Sequence, residues 1–360
     1  MKIVIKVGTQ SILSSEGNPL ESVLFDLVEQ IMKLQDSGNQ IVLVSSGAVG
    51  FGRGAARKIL GREYGSSIGE KQVLASLGQH ELMNVYSRLF KKHNILASQL
   101  LLTKQDFNTR KHYLNIARLL AEILEHHNII PVINENDSVA IEELMFTDND
   151  ELAGLIAAQI NADKLIILSN VDGVYTGHPS EPDAELIKVI DPENGWPQIS
   201  SDKSTHGRGG MVSKISTARK MSGLGITTHI ANINQLQVLN KIIAGAELGT
   251  KILAFKKQSN IKRWIAFNRE HTNGFIIVNM PLYEILRENK RVISILPIGI
   301  KSCKGDFKRG DAIDIYSPDM KQIGIGLARY DSNKLADFCG QKNKPVFVHY
   351  DHLHIFNEIQ

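Results

Sequence analysis

The chain has 360 residues, a net charge of +3 and 42% hydrophobic residues. That is enough for two or three domains with a sizeable core, and too little charge for a general polyanion binder. Two cysteines without a CxxC or a Cys–His cluster argue against a disulfide framework or a structural zinc site, and make a reducing, cytoplasmic compartment the expected one. The opening Met-Lys-Ile-Val-Ile-Lys is too short and too charged for a signal peptide, and no apolar run reaches membrane-spanning length, so no membrane partner is expected.

Residues 2–7 read as a strand rich in β-branched side chains. Lys6 lies near its end, followed by Gly8 and Thr9. A lysine closing an interior strand is costly unless it faces a cleft. Gly8 permits close backbone approach and Thr9 adds a hydroxyl donor; the plain alternative is a surface lysine on an N-terminal strand. Residues 21–37 carry apolar side chains at helical spacing, with Gly38 as a stop. The apolar run 41–44 is of buried-strand type and leads into Ser46-Gly47-Ala48-Val49-Gly50. This is either a strand-to-helix turn or a small-residue loop that meets a substrate through Ser46 and backbone N–H groups.

The strand predicted over 129–133 runs into Asn134-Glu135-Asn136-Asp137. A turn rich in Asn and Asp is one reading. The other is a polar pocket in which Asp137 accepts from a substrate ammonium group. Thr147-Asp148-Asn149-Asp150-Glu151 opens a helix through 152–160. Asp148 with Glu151 makes a capping box, which leaves Asp150 less well explained. The strand 164–168 precedes Ser169-Asn170 and a turn-rich stretch to Pro179, read as a loop across the sheet edge or as the wall of an adenine and ribose site.

Gly207-Arg208-Gly209-Gly210-Met211-Val212-Ser213-Lys214 enters a helix. Glycines at a helix N-terminus cradle phosphate through backbone N–H groups. Lys214 in the first turn opposes the helix dipole unless an anion is near. Lys6 and Lys214, brought from distant loops onto one polyphosphate, would make a phosphoryl-transfer site without a Walker motif. Asp150 between them would hold and orient the pair without acting as a base.

After residue 255 a polar, basic stretch gives way to short strand signals at 274–279, 291–296, 311–316, 322–328 and 345–350, a small, mainly β module. His126, His127, His349, His352 and His354 lack a supporting carboxylate or cysteine cluster, so no metal site is expected. Continuous apolar strands alternating with helices predict an α/β fold, a mostly parallel sheet covered on both faces, with the ligand beyond the carboxyl ends of the strands.

The ordered set Lys6-Val-Gly-Thr9, Ser46-Gly-Ala, Asn134-Glu-Asn-Asp137, Asp148-Asn-Asp150, Ser169-Asn-Val-Asp-Gly-Val-Tyr and Gly209-Gly-Met-Val-Ser-Lys214 resembles the amino-acid kinase superfamily, and within it the glutamate 5-kinase family. Leu296-Pro-Ile-Gly-Ile-Lys301, Gly305 to Asp311 and Gly324 to Tyr330 are similar to a PUA domain. The resemblance implies a three-layer amino-acid kinase domain over 1–257, a linker over 258–270 and a PUA-like barrel over 271–360.

It also implies that Lys6, Lys214 and Asp150 are catalytic. Ser46, Asp137, Asn149, Asn134 and Asp148 would bind L-glutamate. Lys6, Gly8, Thr9, Ser169, Asn170, Arg208, Gly209, Gly210, Met211, Val212, Ser213 and Lys214 would bind ATP, with Mg²⁺ held mainly by phosphates and water. The reaction implied is phosphorylation of the glutamate side-chain carboxylate, the first step of proline synthesis from glutamate. Proline would inhibit at a site lined by 134–151, and the chain would assemble as a dimer or tetramer, with glutamyl phosphate reductase as a further partner.

Gln10, Thr147, Ser169-Asn170 and Arg208 depart from the usual family pattern without removing a charged catalytic group. Another carboxylate kinase is the near alternative; Asp137 and Asn134 offer acceptors for a free ammonium, whereas an acetylated amine prefers an apolar cavity. The distant alternative is an RNA-binding PUA protein with a degenerate kinase domain, using Lys301, Lys304, Lys308 and Arg309.

Overall fold

The computed structural model describes residues 1–108, 110–139, 146, 148–181, 183–197, 210–255, 272, 274–288 and 293–356. Thr147, Gly207, Arg208, Gly209, the 258–270 linker, Arg291 and Val292 lie outside the described residues. The chain divides into two units, Met1–Asp106 with Asn115–Lys257, and Phe107–Leu114 with Gln258–Gln360.

The first unit holds β1 Lys2–Val7, β2 Gln40–Ser45, β3 Leu96–Leu102, β4 Ile129–Glu135, β5 Lys164–Ser169, β6 Val189–Ile190, β7 Thr227–Asn232 and β8 Thr250–Ile252. They form one sheet in the order β3-β4-β2-β1-β5-β7-β8-β6. Every pairing in it is parallel except that of β7 with β8. The helices up to residue 257 are α1 Thr9–Ile12, α2 Glu21–Asp36, α3 Ala48–Leu60, α4 Ile68–Lys91, α5 Gln105–Asn108, α6 Arg110–Glu125, α7 Asn149–Ile160, α8 Met211–Gly223 and α9 Val238–Ile243, with the end of α5 and the start of α6 falling in the second unit. The expected stop after α2 is present, with Gly38 at φ +79°.

Side-chain alternation along β1 sorts the two layers. Ile3, Ile5 and Val7 join Leu24, Leu27 and Ile31 of α2 and Leu82 and Tyr86 of α4 in one buried cluster. Val4 and Lys6 face the opposite side, where α7 packs against β1, β2, β4 and β5. Every residue of α7 from Leu152 to Ile160 is buried, so the helix has no solvent face and its first turn is held rigidly against the strand ends. Helices α3 and α4 approach closely because Gly52 and Gly78 face each other's helix; a Cβ on either would collide with backbone atoms across the contact. A capping box of Ser67 and Glu70 starts α4.

The second unit contains a sheet of β9 Gly274–Val278, β10 Ile300–Gly305, β11 Ala312–Tyr316, β12 Gln322–Leu327 and β13 Leu353–Ile355, ordered β10-β9-β11-β12-β13. Its core includes Ile276, Ile300, Phe307, Ile313, Leu335 and Phe347. Two expected strands are corrected: among the described residues of 291–296 and 345–350, only a single bridge forms, Ile295 with Val348. Pro297 and Pro345 lack the N–H that would extend a ladder on either side. Strands β10 and β13, and helices Met280–Glu288 and Ser332–Phe338, were not predicted. Among the described residues no helix is long and apolar enough to cross a membrane.

Candidate active site at the carboxyl edge of the sheet

Lys6 leaves β1 toward the start of α7, and Lys214 reaches the same point from the first turns of α8. Asp150 stands between them: its Oδ1 lies 2.6 Å from Lys6 Nζ and its Oδ2 accepts from Lys214 Nζ at 2.7 Å. Asp150 is fully buried, and both lysines are nearly so. Burial works against the Asp150 charge, but Lys6 and Lys214 outweigh it and hold the carboxyl below the usual carboxylate range. Burial, with Lys214 beside it, pulls the Lys6 ammonium below its ordinary value despite the opposing pull of Asp150. Two ammonium groups share the Asp150 carboxylate, and the buried Asp148 carboxyl also interacts with Lys6. Two desolvated ammonium groups held at one point suit an anionic ligand.

The chain creates this cluster through one helix cap. Asp148 is the N-cap of α7, its Oδ1 accepting from the N–H groups of Asp150 at 2.9 Å and Glu151 at 3.1 Å. That fixes where the first turn begins and therefore where Asp150 points. Burial and the neighbouring Asp150 carboxylate push Asp148 upward. The Asp148 side chain also hydrogen-bonds Ser213 in the first turn of α8, which draws it back down.

Beside the charges runs a chain of neutral amides. Asn149 Nδ2 donates to Ser46 Oγ at 2.7 Å and to Asn134 Oδ1 at 2.9 Å. Asn134 Nδ2 donates in turn to Gln79 Oε1 at 2.9 Å. Three of the residues expected to contact substrate, Ser46, Asn134 and Asn149, are thus brought into one network from β2, β4 and α7. Asp137 lies farther along, in the wall of a cavity of about 330 Å³ that Gln79, His80, Gln99, Glu135 and Ser138 also line. The volume suits a small metabolite at the low end of ligand pockets.

On the other side of the lysines, the loops after β1, β5 and β7 are tied together. Ser11 Oγ donates to Asn170 Oδ1 at 2.9 Å, and Asn170 Nδ2 donates to the Gln10 carbonyl at 3.1 Å. Asn232 and Gln235 both donate to Asp172 Oδ1, at 2.9 and 3.1 Å. Gly8 precedes α1 and leaves the space over the Lys6 ammonium open; a Cβ there would sit 3.7 Å from Nζ. Thr9 starts α1, and Ser169 closes β5. Gly210 is the N-cap of α8 in extended conformation, with no side chain capping the helix. The first-turn N–H groups, from Met211, Val212 and Ser213 onward, therefore have no side-chain cap, an arrangement suited to an anion. Arg208 and Gly209 lie outside the described residues.

Sequence reasoning missed Gln79, Ser11, Asn232 and Gln235. The one local signal was at Gln79, a polar residue on the inward face of a helix whose neighbours on that face, Leu82 and Tyr86, are core.

The chain is similar to known proteins along most of its length. The model of the Amino acid kinase family matches residues 1–232, and that of the PUA domain matches residues 274–346. The chain is 44% identical to a glutamate 5-kinase of Chlorobaculum tepidum, over 98% of this chain and 97% of that one. It is 38% identical to a glutamate 5-kinase of Bacteroides thetaiotaomicron, over 98% of each. A third, from Caldanaerobacter subterraneus, is 37% identical over 96% of this chain and 92% of its own length.

Proposed function

The chain belongs to the amino acid kinase family and, within it, to the glutamate 5-kinases; from this premise we propose that it transfers the γ-phosphoryl group of ATP to the side-chain carboxylate of L-glutamate, giving L-glutamyl 5-phosphate. The observation that carries the reading is the buried Lys6–Asp150–Lys214 cluster, two ammonium groups on one carboxylate, linked through Asn149, Asn134 and Gln79 to a cavity that Asp137 also lines.

The nucleophile needs no base. A carboxylate of solution pKa about 4.3 is ionised at neutral pH. Catalysis is then alignment and charge stabilisation, with Lys6 and Lys214 placed to neutralise charge as it moves across the transferring group. Asp150 sets the separation of the two ammonium groups. Both of its oxygens are engaged by the lysines, so it is not a free cation ligand. The donors here, ammonium and backbone N–H groups, fit a nucleotide polyphosphate. Its Mg²⁺ would be held by phosphate oxygens and water and would supply further charge neutralisation.

Ser46, Asn134, Asn149 and Asp137 bind glutamate in this reading, and the loops carrying Gly8, Thr9, Ser169, Asn170 and Gly210 to Ser213 bind ATP. Proline, as inhibitor, would occupy the glutamate end lined by 134–151, and the kinase region would carry assembly into a dimer or tetramer. An RNA-binding role with a dead kinase is disfavoured by the intact charge cluster. The basic residues invoked for RNA are also interleaved with acids: Lys308 Nζ lies 3.6 Å from Asp306 and 3.9 Å from Asp331.

Trapping the acyl phosphate with hydroxylamine tests the reading. Hydroxamate that depends on ATP and forms from glutamate in preference to N-acetylglutamate and aspartate, and that proline suppresses, is expected. Preference for N-acetylglutamate would reassign the substrate, and RNA retention at moderate salt without hydroxamate would reassign the class.

A further inference from the structure

The amide chain has a direction, and one backbone group sets it. Glu135 N–H donates to Asn134 Oδ1 at 2.9 Å. A backbone N–H cannot accept, so the atom facing it must be the oxygen, and the Asn134 amide has only one orientation. Its Nδ2 must then face Gln79, which makes the facing atom of Gln79 the oxygen. The same Asn134 oxygen accepts from Asn149 Nδ2. The polarity therefore propagates outward from Glu135 N–H to both ends.

Each end is left with one buried, unpartnered atom of defined character. At the Asn149 end it is an acceptor, Oδ1; at the Gln79 end it is a donor, Nε2. An orphaned amide N–H in a buried position costs on the order of 1–3 kcal/mol, and native interiors hold few of them. Gln79 is 9% exposed and lines the cavity that contains Asp137. Asn149 adjoins Asp150 and the lysines, so the Gln79 end is the one remote from the phosphoryl group. A substrate whose reacting carboxylate lies at the lysines presents its opposite end there.

We infer that Gln79 is a specificity-determining residue that donates from Nε2 to the α-carboxylate of the amino-acid substrate, while Asp137 in the same cavity takes the α-ammonium. This assignment rests on the glutamate kinase reading above. It explains why a glutamine stands on the core-facing side of α4: its Oε1 holds Asn134 in place, and its Nε2 reads the substrate. Selection by such a donor is strong because a substrate lacking the carboxylate leaves a buried N–H unpaired.

The test is a cycle between one residue and one substrate group. Hydroxamate formation is measured for wild type, Gln79→Met and Gln79→Glu, with L-glutamate and with 4-aminobutyrate, which is glutamate without its α-carboxylate. The Glu variant keeps an acceptor for Asn134 but turns the donor into a repelling carboxylate. It should raise KM for glutamate by about 10- to 100-fold, the range for a hydrogen bond to a charged group, with KM for ATP and the thermal midpoint near wild type. The preference of wild type for glutamate over 4-aminobutyrate in kcat/KM should shrink by about tenfold in Gln79→Met. A structural role confined to holding Asn134 predicts the opposite pattern: Gln79→Glu near wild type, and an unchanged glutamate preference in Gln79→Met. That result, with wild-type turnover intact, overturns the assignment of Gln79 alone. Wild-type protein that yields no glutamyl hydroxamate overturns the kinase reading and this assignment with it.

Discussion

At one end of the site Asp150 is fully buried between two ammonium groups; at the other, Gln79, Asn134 and Asn149 pass hydrogen bonds between neutral amides. Both ends are desolvated and both are organised by main-chain groups, the α7 cap in one case and Glu135 N–H in the other. They differ in what they must tolerate. Charge on the phosphoryl group moves during transfer, and two ammonium groups held by one carboxylate respond to it. The far end of the substrate does not change, and fixed amide dipoles together with Asp137 suit its recognition.

The comparison can be broken most strongly at Asp150. Asp150→Ala leaves two buried lysines without their shared partner, and stability should fall by about 3–5 kcal/mol, read by urea unfolding. A variant that unfolds like wild type would mean the cluster is not electrostatically coupled. At the neutral end, Asn149→Ala removes donors to Ser46 and Asn134 but strands no charge. It should cost about 1.5–3 kcal/mol, appearing mainly as a raised KM for glutamate and little in the unfolding curve. Equal losses of stability at the two positions would erase the distinction.

A contrasting effect lies away from the site, on β7, and is silent at neutral pH. His229 is 4% exposed with Nδ1 unpartnered. Burial, with Lys164 and Lys251 nearby, pushes its pKa down to about 3. The unfolded chain, near 6.5, takes up a proton that the folded chain refuses. Stability is therefore full above about pH 6.5 and falls as pH drops from there toward 3, by about 1.4 kcal/mol per pH unit. Unfolding measured across that window should be flatter for His229→Leu. An unchanged slope would place the acid sensitivity elsewhere.

Much of this was legible along the chain. The largely apolar runs at 2–7, 41–44, 129–133 and 164–168 are mostly buried, and their shortness and β-branched content suit interior parallel strands. Asp150 was legible by subtraction, since capping accounts for Asp148 and leaves the next carboxylate but one without a local task. Gln79 was not, because its partner Asn134 is far along the chain and its helix otherwise reads as amphipathic. The β module was legible in class but not in register: bridging at Ile295 and Val348 replaces two expected strands, while Ile300–Gly305, with its exposed lysines and a glycine, pairs where no apolar run announced it.

The central claim is that Lys6 and Lys214 act on the transferring phosphoryl group and not on glutamate binding. Steady-state hydroxamate formation by Lys6→Ala and Lys214→Ala tests it directly. Turnover should fall by about 10²- to 10³-fold in each, as for loss of one charge-stabilising donor, with KM for glutamate nearly unchanged. Near-normal turnover in both variants, or a loss confined to the glutamate KM, would contradict the account.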